Sequence, residues 1–231
     1  MGRFRKPRKR ITGQGNGESE SWRIEGPCGT ALHMQSEKSH LRSLLLQQRR
    51  RLTAQEVTEK SQRIFAHLQT FRPFLHAHTV VLYSAEADEV QTEAIWQEAE
   101  SCGKAVYYPR ITADRTDLEF VRRFPNEPLV PGTFNIPTPP GNDLLPQLQP
   151  TDIVLTPGVG FDRLGRRLGR GKGYYDRAFR GPLAHAIRVA LAFDCQVVLQ
   201  VPTDATDERV HAVISETGIV DCQSSLSSGK S

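Results

Sequence analysis

Cysteine is scarce in this sequence, and long apolar runs are missing. The 231 residues include four cysteines, Cys28, Cys102, Cys195 and Cys222, and no two of them are close together. Such spacing excludes a disulfide framework and a zinc site built from cysteine pairs, and it favours a reducing compartment. No apolar run approaches the roughly 18 residues that a membrane-spanning helix requires. We therefore expect a soluble protein of the cytoplasm.

Acidic residues are absent from the first 17 positions, and the first ten carry six Arg or Lys residues. The net charge is +4 and the sequence pI is about 9.0. Because residues 1–36 contain few apolar side chains, we predict that they form a disordered basic extension. Two alternatives stay open. The segment could be an organelle transit peptide, although Pro7 and three glycines interrupt an amphipathic helix there, or translation could start at Met34.

From residue 37 the hydrophobic pattern predicts one domain, residues 37–218, followed by a disordered tail, residues 219–231. Helices are predicted on both sides of a capping box, Thr53 to Glu56, and again over 89–101 and from residue 174. Strands are predicted at 79–84, 105–108, 118–123, 152–156 and 188–193. Eight of the fifteen prolines lie between residues 125 and 150, which indicates loop. Strands that alternate with helices predict an α/β fold, with a mainly parallel central sheet flanked by helices in three layers.

Glycines alternate with cations in one short segment. Gly169, Gly171 and Gly173 are separated by Arg170 and Lys172. Glycines allow backbone amides to approach an anion closely, and the two side chains supply positive charge. A helix starting after Gly173 would add the positive end of its dipole. The segment therefore predicts a phosphate-binding loop, and a flexible basic turn is the alternative.

The surrounding residues narrow the prediction. Asp176 follows the loop by three residues, where a carboxylate can bind magnesium. The Gly-x-Gly-x-Gly spacing matches neither a Walker loop nor a Rossmann loop. Residues 167–176 (RLGRGKGYYD), preceded by 157–162 (PGVGFD), instead resemble the signature of the 5-formyltetrahydrofolate cyclo-ligase family. Weaker matches occur in the same order as in the family and extend the resemblance over about residues 36–216: Lys38 with Arg42, 88–92, 108–110, 134–137, 190–193 and 201–202.

The resemblance implies an ATP- and magnesium-dependent ligase that cyclises 5-formyltetrahydrofolate to 5,10-methenyltetrahydrofolate and releases ADP and phosphate. Family enzymes phosphorylate the N5-formyl oxygen, and N10 then attacks the same carbon. This chemistry requires charge neutralisation and alignment more than a strong nucleophile. The implied partners are ATP, Mg²⁺ and the folate, which can be polyglutamylated. We expect a monomer with no membrane partner and no nucleic-acid partner.

The resemblance also implies a role for each matching residue. Lys172 and Arg170 would be catalytic. ATP would be bound by Lys38, Arg42, Arg167, Leu168, Gly169, Arg170, Gly171, Lys172, Gly173, Tyr174 and Tyr175. The folate would be bound by Ser84, Glu89, Phe134, Arg170 and Tyr174, with Glu89 accepting paired hydrogen bonds from the amino-pyrimidine edge of the pterin. Magnesium would be held by Asp176 and Asp207, and Asp204 is the alternative for the second ligand.

Two rival functions belong to other classes. The domain could be a non-catalytic protein whose basic arm binds RNA, or it could be an ATP-dependent enzyme acting on another heterocycle. The joint presence of Lys172, Asp176 and Glu89 favours catalysis. Two positions depart from the family pattern: Thr138 stands where many relatives have Glu or Gln, and His211 where Asp is common.

Overall fold

The computed structural model of the protein describes residues 27–223, with side chains described from residue 33. In this part of the chain the helices are α1 (Pro27–Arg49), α2 (Ala54–Leu68), α3 (Arg72–His76), α4 (Glu93–Ser101) and α5 (Tyr174–Arg180). The strands are β1 (Thr79–Val81), β2 (Ala105–Ile111), β3 (Leu118–Arg122), β4 (Val130–Pro131), β5 (Pro137–Thr138), β6 (Ile153–Thr156), β7 (Gly160–Asp162), β8 (Arg167–Leu168), β9 (Ile187–Leu191), β10 (Val197–Val198), β11 (Ala212–Ser215) and β12 (Gly218–Asp221). The capping box is present, since the Thr53 hydroxyl accepts from the Glu56 amide and the Glu56 carboxylate accepts from the Thr53 amide.

A seven-stranded sheet forms the centre of the domain, in the order β12-β11-β9-β6-β1-β2-β3. The five inner strands are parallel, and the edge strands β12 and β3 are antiparallel to their neighbours. The prediction of a mainly parallel sheet is therefore confirmed. The chain passes from β1 to β2 on one side, and β6 pairs with the other side of β1. Ligands of open α/β sheets bind outside the carboxyl ends of the strands at such a switch point.

Helices cover both faces of the sheet. Val80 of β1 and Ile153 of β6 are buried on the same side as Ile64 of α2. The next residue of β1, Val81, points to the opposite side and is buried with Phe179 of α5. Side chains of successive strand residues alternate between faces, so an apolar residue at each position requires an apolar layer on each side. The predicted three-layer α/β architecture is confirmed.

The glycine-rich stretch before residue 169 is more ordered than the predicted loop. It contains the β7–β8 hairpin, whose turn is shaped by the buried carboxylate of Asp162. This carboxylate accepts hydrogen bonds from the amides of Leu164 (3.0 Å) and Arg166 (3.1 Å). A Cβ atom on Gly160 would lie 2.4 Å from Cδ1 of Leu45, so a larger residue would displace the side chain by which α1 packs against the hairpin. Within the PGVGFD motif, Gly160 and Asp162 therefore serve packing and turn geometry.

Both predicted domain boundaries fall inside secondary structure. Helix α1 begins at Pro27, ten residues before the expected boundary, and β12 continues to Asp221, past residue 218. The low apolar content of residues 27–36 predicted disorder. However, once the packed part of a helix has formed, each added residue gains a backbone hydrogen bond, so the helix extends beyond the packed part at a small free-energy cost per residue. The predictions for residues 1–26 and 224–231 lie outside the described residues. Within 27–223, no helix is long and apolar enough to cross a membrane.

His211 is expected to make stability depend on pH. The Arg188 amide donates to Nδ1 of His211 (3.0 Å), which requires an unprotonated nitrogen. Burial, and secondly the charge of Arg188, lower the pKa of His211 below its usual 6.5. The unfolded chain therefore binds a proton on His211 more readily than the folded chain does. The contribution of neutral His211 to the free energy of unfolding is present above pH 6.5 and is lost as the pH falls through the lowered pKa.

We expect the free energy of unfolding to fall more steeply from about pH 7 to about pH 5 in the wild type than in His211→Asn. Asparagine can still accept from the Arg188 amide but does not titrate. Urea unfolding at both pH values measures the difference. Equal slopes in the two proteins would show that His211 does not titrate differently on folding.

Candidate active site

A pocket with a volume of about 720 Å³ lies beyond the carboxyl ends of β1 and β6, at the switch point of the sheet. Tyr83 and Ser84 after β1, and Pro157 and Gly158 after β6, form part of its wall. Every site residue predicted from the sequence lines this pocket: Lys38, Arg42, Ser84, Glu89, Phe134, Arg167, Leu168, Gly169, Arg170, Gly171, Lys172, Gly173, Tyr174, Tyr175, Asp176 and Asp207. Residues separated by more than 160 positions thus converge on one cavity.

The glycine loop adopts a backbone that other residues would strain. Gly171 has φ +93° and Gly173 has φ +67°, both in the region that favours glycine. Nε of Arg42 donates to the Gly169 carbonyl (2.9 Å), so α1 holds one end of the loop. Nη1 of Arg177 donates to the Lys172 carbonyl (3.0 Å), so α5 holds the other end. The loop is anchored through its carbonyls.

Arg167 is a buried cation at the base of the loop. Its Nη2 donates to Oδ1 of Asp176 at 2.8 Å. The guanidinium also lies 5.6 Å from the ring centroid of Tyr175 and 5.7 Å from that of Phe179, within the range of cation–π attraction. Burial raises the pKa of the Tyr175 hydroxyl above its usual range, so this group is neutral. Arg167 therefore fixes Asp176 relative to the loop.

Glu89 is a buried carboxylate held from three directions. Its Oε1 accepts from Nη2 of Arg170 (3.0 Å) and Nη1 of Arg49 (3.3 Å), and its Oε2 accepts from the Glu86 amide (3.1 Å). Arg49 also binds Asp88 through Nε (3.1 Å) and Nη2 (3.0 Å). Arg49 and Glu86 were not predicted as site residues. Arg49 is one of three consecutive arginines at the end of α1, and only the packing of α1 distinguishes the buried member.

Lys172 differs from the other cations of the pocket. Arg42, Arg167 and Arg170 all donate to partners in the protein, whereas the exposed ammonium of Lys172 has no hydrogen bond or ion pair within residues 33–223. Its charge is therefore available to a ligand. Arg170 is intermediate, because its pairs with Glu86 (2.5 Å) and Glu89 lie at the half-exposed surface of the pocket.

Lys38 connects α1 to the loop that carries Asp207. Its buried Nζ donates to Asp204 (2.6 Å) and to Asp207. Burial alone would lower the pKa of Lys38, but the two carboxylates outweigh it and the pKa is raised. Hydrogen bonds from Lys38 and Thr206 lower the pKa of Asp204 to about 2. Lys38 was predicted to bind ATP, and the structure pairs it with these carboxylates.

Asp176 and Asp207 fit a magnesium site of the kind completed by phosphate oxygens. Oδ1 of Asp176 accepts from Arg167 and from the Glu208 amide (3.2 Å), next to Asp207 in the chain. Hydrogen bonds of the described residues leave Oδ2 of Asp176 and Oδ1 of Asp207 free. The described part of the chain holds no cluster of three or more metal-binding side chains. Magnesium characteristically takes one or two carboxylates together with substrate phosphates.

The β4–β5 hairpin places an aromatic ring at the mouth of the pocket. Phe134 is 67% exposed and has φ +57°, a conformation that is unfavourable for a bulky residue. The Ser84 hydroxyl donates to the Pro137 carbonyl and ties the hairpin to the end of β1. Across the mouth, the Tyr174 hydroxyl donates to the Arg115 carbonyl at 2.9 Å. Phe134 thus offers a largely exposed ring to a planar ligand, with the Arg115 guanidinium 6.0 Å from the ring centroid.

Comparisons with known proteins agree on one family. Residues 34–216 match the sequence model of the 5-formyltetrahydrofolate cyclo-ligase family. The chain is 34% identical to the 5-formyltetrahydrofolate cyclo-ligase of Mus musculus, across 80% of this chain and 97% of the mouse protein. It is 31% identical to the Escherichia coli K12 protein of the same name, across 76% and 98%. An NMR structure of the Aquifex aeolicus 5,10-methenyltetrahydrofolate synthetase superposes with a TM-score of 0.70 at 28% identity, covering 80% of this chain and 93% of the other.

Proposed function

The chain belongs to the 5-formyltetrahydrofolate cyclo-ligase family, and we propose that its pocket binds ATP, magnesium and 5-formyltetrahydrofolate together and forms 5,10-methenyltetrahydrofolate, ADP and phosphate. The observation that carries the proposal is the convergence of a glycine loop with an unpaired lysine and a buried, oriented carboxylate on one cavity at the switch point. The glycine loop and the lysine suit a triphosphate, and the buried carboxylate suits the edge of a pterin.

The folate is proposed to bind with its pterin between Phe134 and Glu89. The exposed ring of Phe134 can stack on the planar pterin, which would cover its apolar surface. Oε2 of Glu89, which accepts only from the Glu86 amide, can accept one hydrogen bond from the amino-pyrimidine edge, and Oε1 can accept a second when Arg170 turns from it toward the phosphates. Both Oε atoms of Glu89 already accept hydrogen bonds within the protein, so the carboxylate is oriented before the ligand arrives. Tyr174 and Ser84 lie beside this position in the pocket wall.

The reaction consists of two displacements. The N5-formyl oxygen attacks the γ-phosphorus of ATP, the bond to the bridging oxygen breaks, and ADP leaves. N10 then attacks the formyl carbon, the carbon–oxygen bond breaks, phosphate leaves with that oxygen, and the N10 proton is lost. Lys172 and Arg170 would stabilise charge on the transferring phosphoryl group and on the departing phosphate. Asp176 and Asp207 would hold the magnesium ion, which neutralises phosphate charge when bound.

A turnover assay tests the proposal directly. Purified protein, ATP, magnesium and 5-formyltetrahydrofolate should yield the absorbance of the methenyl product together with an equal amount of ADP. Leaving out ATP or magnesium should abolish both signals. Folded protein that binds ATP but forms no methenyl product would point to another heterocycle as the substrate.

Glu89→Gln is expected to weaken folate binding about 10- to 100-fold and to leave ATP binding within about twofold. The amide keeps the size of the side chain but replaces one acceptor oxygen with a donor, and a charge-assisted hydrogen bond contributes about 1.5–3 kcal/mol. Titration calorimetry with each ligand measures the two effects. Glu100→Gln, an exposed change on α4, is the matched control. Equal losses for the two ligands would remove Glu89 from the pterin site.

The non-catalytic RNA-binding alternative makes a different prediction, namely salt-sensitive RNA binding that requires residues 1–33. Family membership favours the catalytic hypothesis, since the relatives named above are ligases or synthetases. The cytoplasmic location and the monomeric state remain part of the proposal. Native mass spectrometry tests the monomeric state and also shows whether residues 1–33 are present.

A further inference from the structure

A second cavity adjoins the pocket and carries an excess of positive charge. Its volume is about 430 Å³, and its charged lining consists of Arg42, Arg49, Arg50 and Arg170 with Glu86 and Asp88. Arg42, Glu86 and Arg170 line both cavities, so the two spaces meet along these side chains. A long ligand could therefore occupy both.

The arginines of the second cavity are unequal. Arg49 is neutralised by Asp88 and Glu89, and Arg170 by Glu86 and Glu89. Arg42 uses only Nε, on the Gly169 carbonyl. The exposed guanidinium of Arg50 makes no hydrogen bond or ion pair within residues 33–223. Within the described residues, the whole guanidinium of Arg50 and the two Nη atoms of Arg42 are thus available to an anionic ligand.

We propose that this second cavity binds the acidic glutamyl end of the folate, with Arg50 as a specificity-determining contact. The inference rests on the proposed function, because it takes Glu89 as the pterin contact. A folate has its pterin at one end and the carboxylates of glutamate at the other, and γ-linked glutamates add further carboxylates. With the pterin on Glu89, the shared boundary at Arg170 and Glu86 leads to Arg50. Arginine binds carboxylates through two parallel hydrogen bonds.

The experiment compares three ligands that differ only in the tail: 5-formyltetrahydropteroate, which has no glutamate, 5-formyltetrahydrofolate, and its triglutamate. Titration calorimetry is performed on the full chain carrying Arg50→Gln, with Arg51→Gln as the control. Arg51 is also exposed on the same turn, but it lines neither cavity.

We expect Arg50→Gln to weaken triglutamate binding about 3- to 10-fold, as for a partly exposed charge pair, and to leave the pteroate and ATP unchanged. Arg50→Glu should weaken it further. A uniform loss for all three folates, or no difference from Arg51→Gln, would overturn the glutamyl assignment while leaving the proposed reaction intact. A selective loss of ATP affinity would assign the cavity to the nucleotide. Wild-type protein that binds none of the three folates would overturn both proposals.

Discussion

Lys172→Ala is expected to lower kcat about 10²- to 10³-fold, because it removes one preorganised charge from the transferring phosphoryl group. Among the pocket cations of the described chain, Lys172 alone keeps its charge free of protein partners, so its interaction with a ligand is not offset by a broken ion pair. For the same reason the unfolding free energy should change by less than about 0.5 kcal/mol. Steady-state kinetics and urea unfolding on the same protein separate the two effects.

Two further variants sharpen this test. Lys172→Arg keeps the charge but alters its shape, and we expect it to retain part of the lost rate. Arg163→Ala removes an exposed cation from the β7–β8 turn, outside the pocket, and should leave kcat unchanged. If Lys172→Ala turned over within about threefold of the wild type, its role in charge stabilisation would be refuted.

The sheet could be predicted because strand composition and strand order depend on local patterns. Apolar residues at each position of β1 and β6 require cover on two sides, and a strand–helix–strand order requires parallel pairing. The glycine loop was visible for a similar reason, since its residue types and spacing lie within one short segment. What these patterns could not give is which face of α1 packs inward. Arg49, Arg50 and Arg51 are equivalent in sequence, and the fold buries only the first.

Pairing among the site residues was also beyond prediction. The spacing of Lys38 and Arg42 indicates one helical face, and both do line the pocket. Lys38 also binds Asp204 and Asp207, which lie more than 160 residues away. This pairing depends on how the loop that carries the two aspartates packs against α1, which the sequence does not indicate. The sequence did not predict the turn at Asp162, because closely spaced glycines are typical of loops. In the structure, Gly160 instead leaves space for the side chain of Leu45.

Arg49→Met is expected to destabilise the fold by about 1–3 kcal/mol, since it removes three charge-assisted hydrogen bonds of a buried arginine, while Glu89 keeps its bond from Arg170 and Asp88 keeps contact with solvent. Arg49 is 2% exposed, and it binds Asp88 with two nitrogens and Glu89 with a third. Methionine fills similar apolar space but supplies no donor. A loss of this size is a large share of the stability of a typical domain. The midpoint of urea unfolding should fall while the slope stays constant.

Glu89 links this stability prediction to binding. Without Arg49 the Glu89 carboxylate loses one of its orienting donors, so folate affinity should fall while ATP affinity is retained. Arg49→Lys keeps the positive charge but not the planar guanidinium with its several donors. The losses of stability and of folate affinity should therefore be smaller in Arg49→Lys than in Arg49→Met. Adding Asp88→Asn to Arg49→Met should recover part of the stability, since it removes one of the unpaired charges. Arg51→Met is the control for a change at the exposed end of α1. If Arg49→Met unfolded at the same urea concentration as Arg51→Met, the buried arginine would not hold the Asp88–Glu89 loop in place.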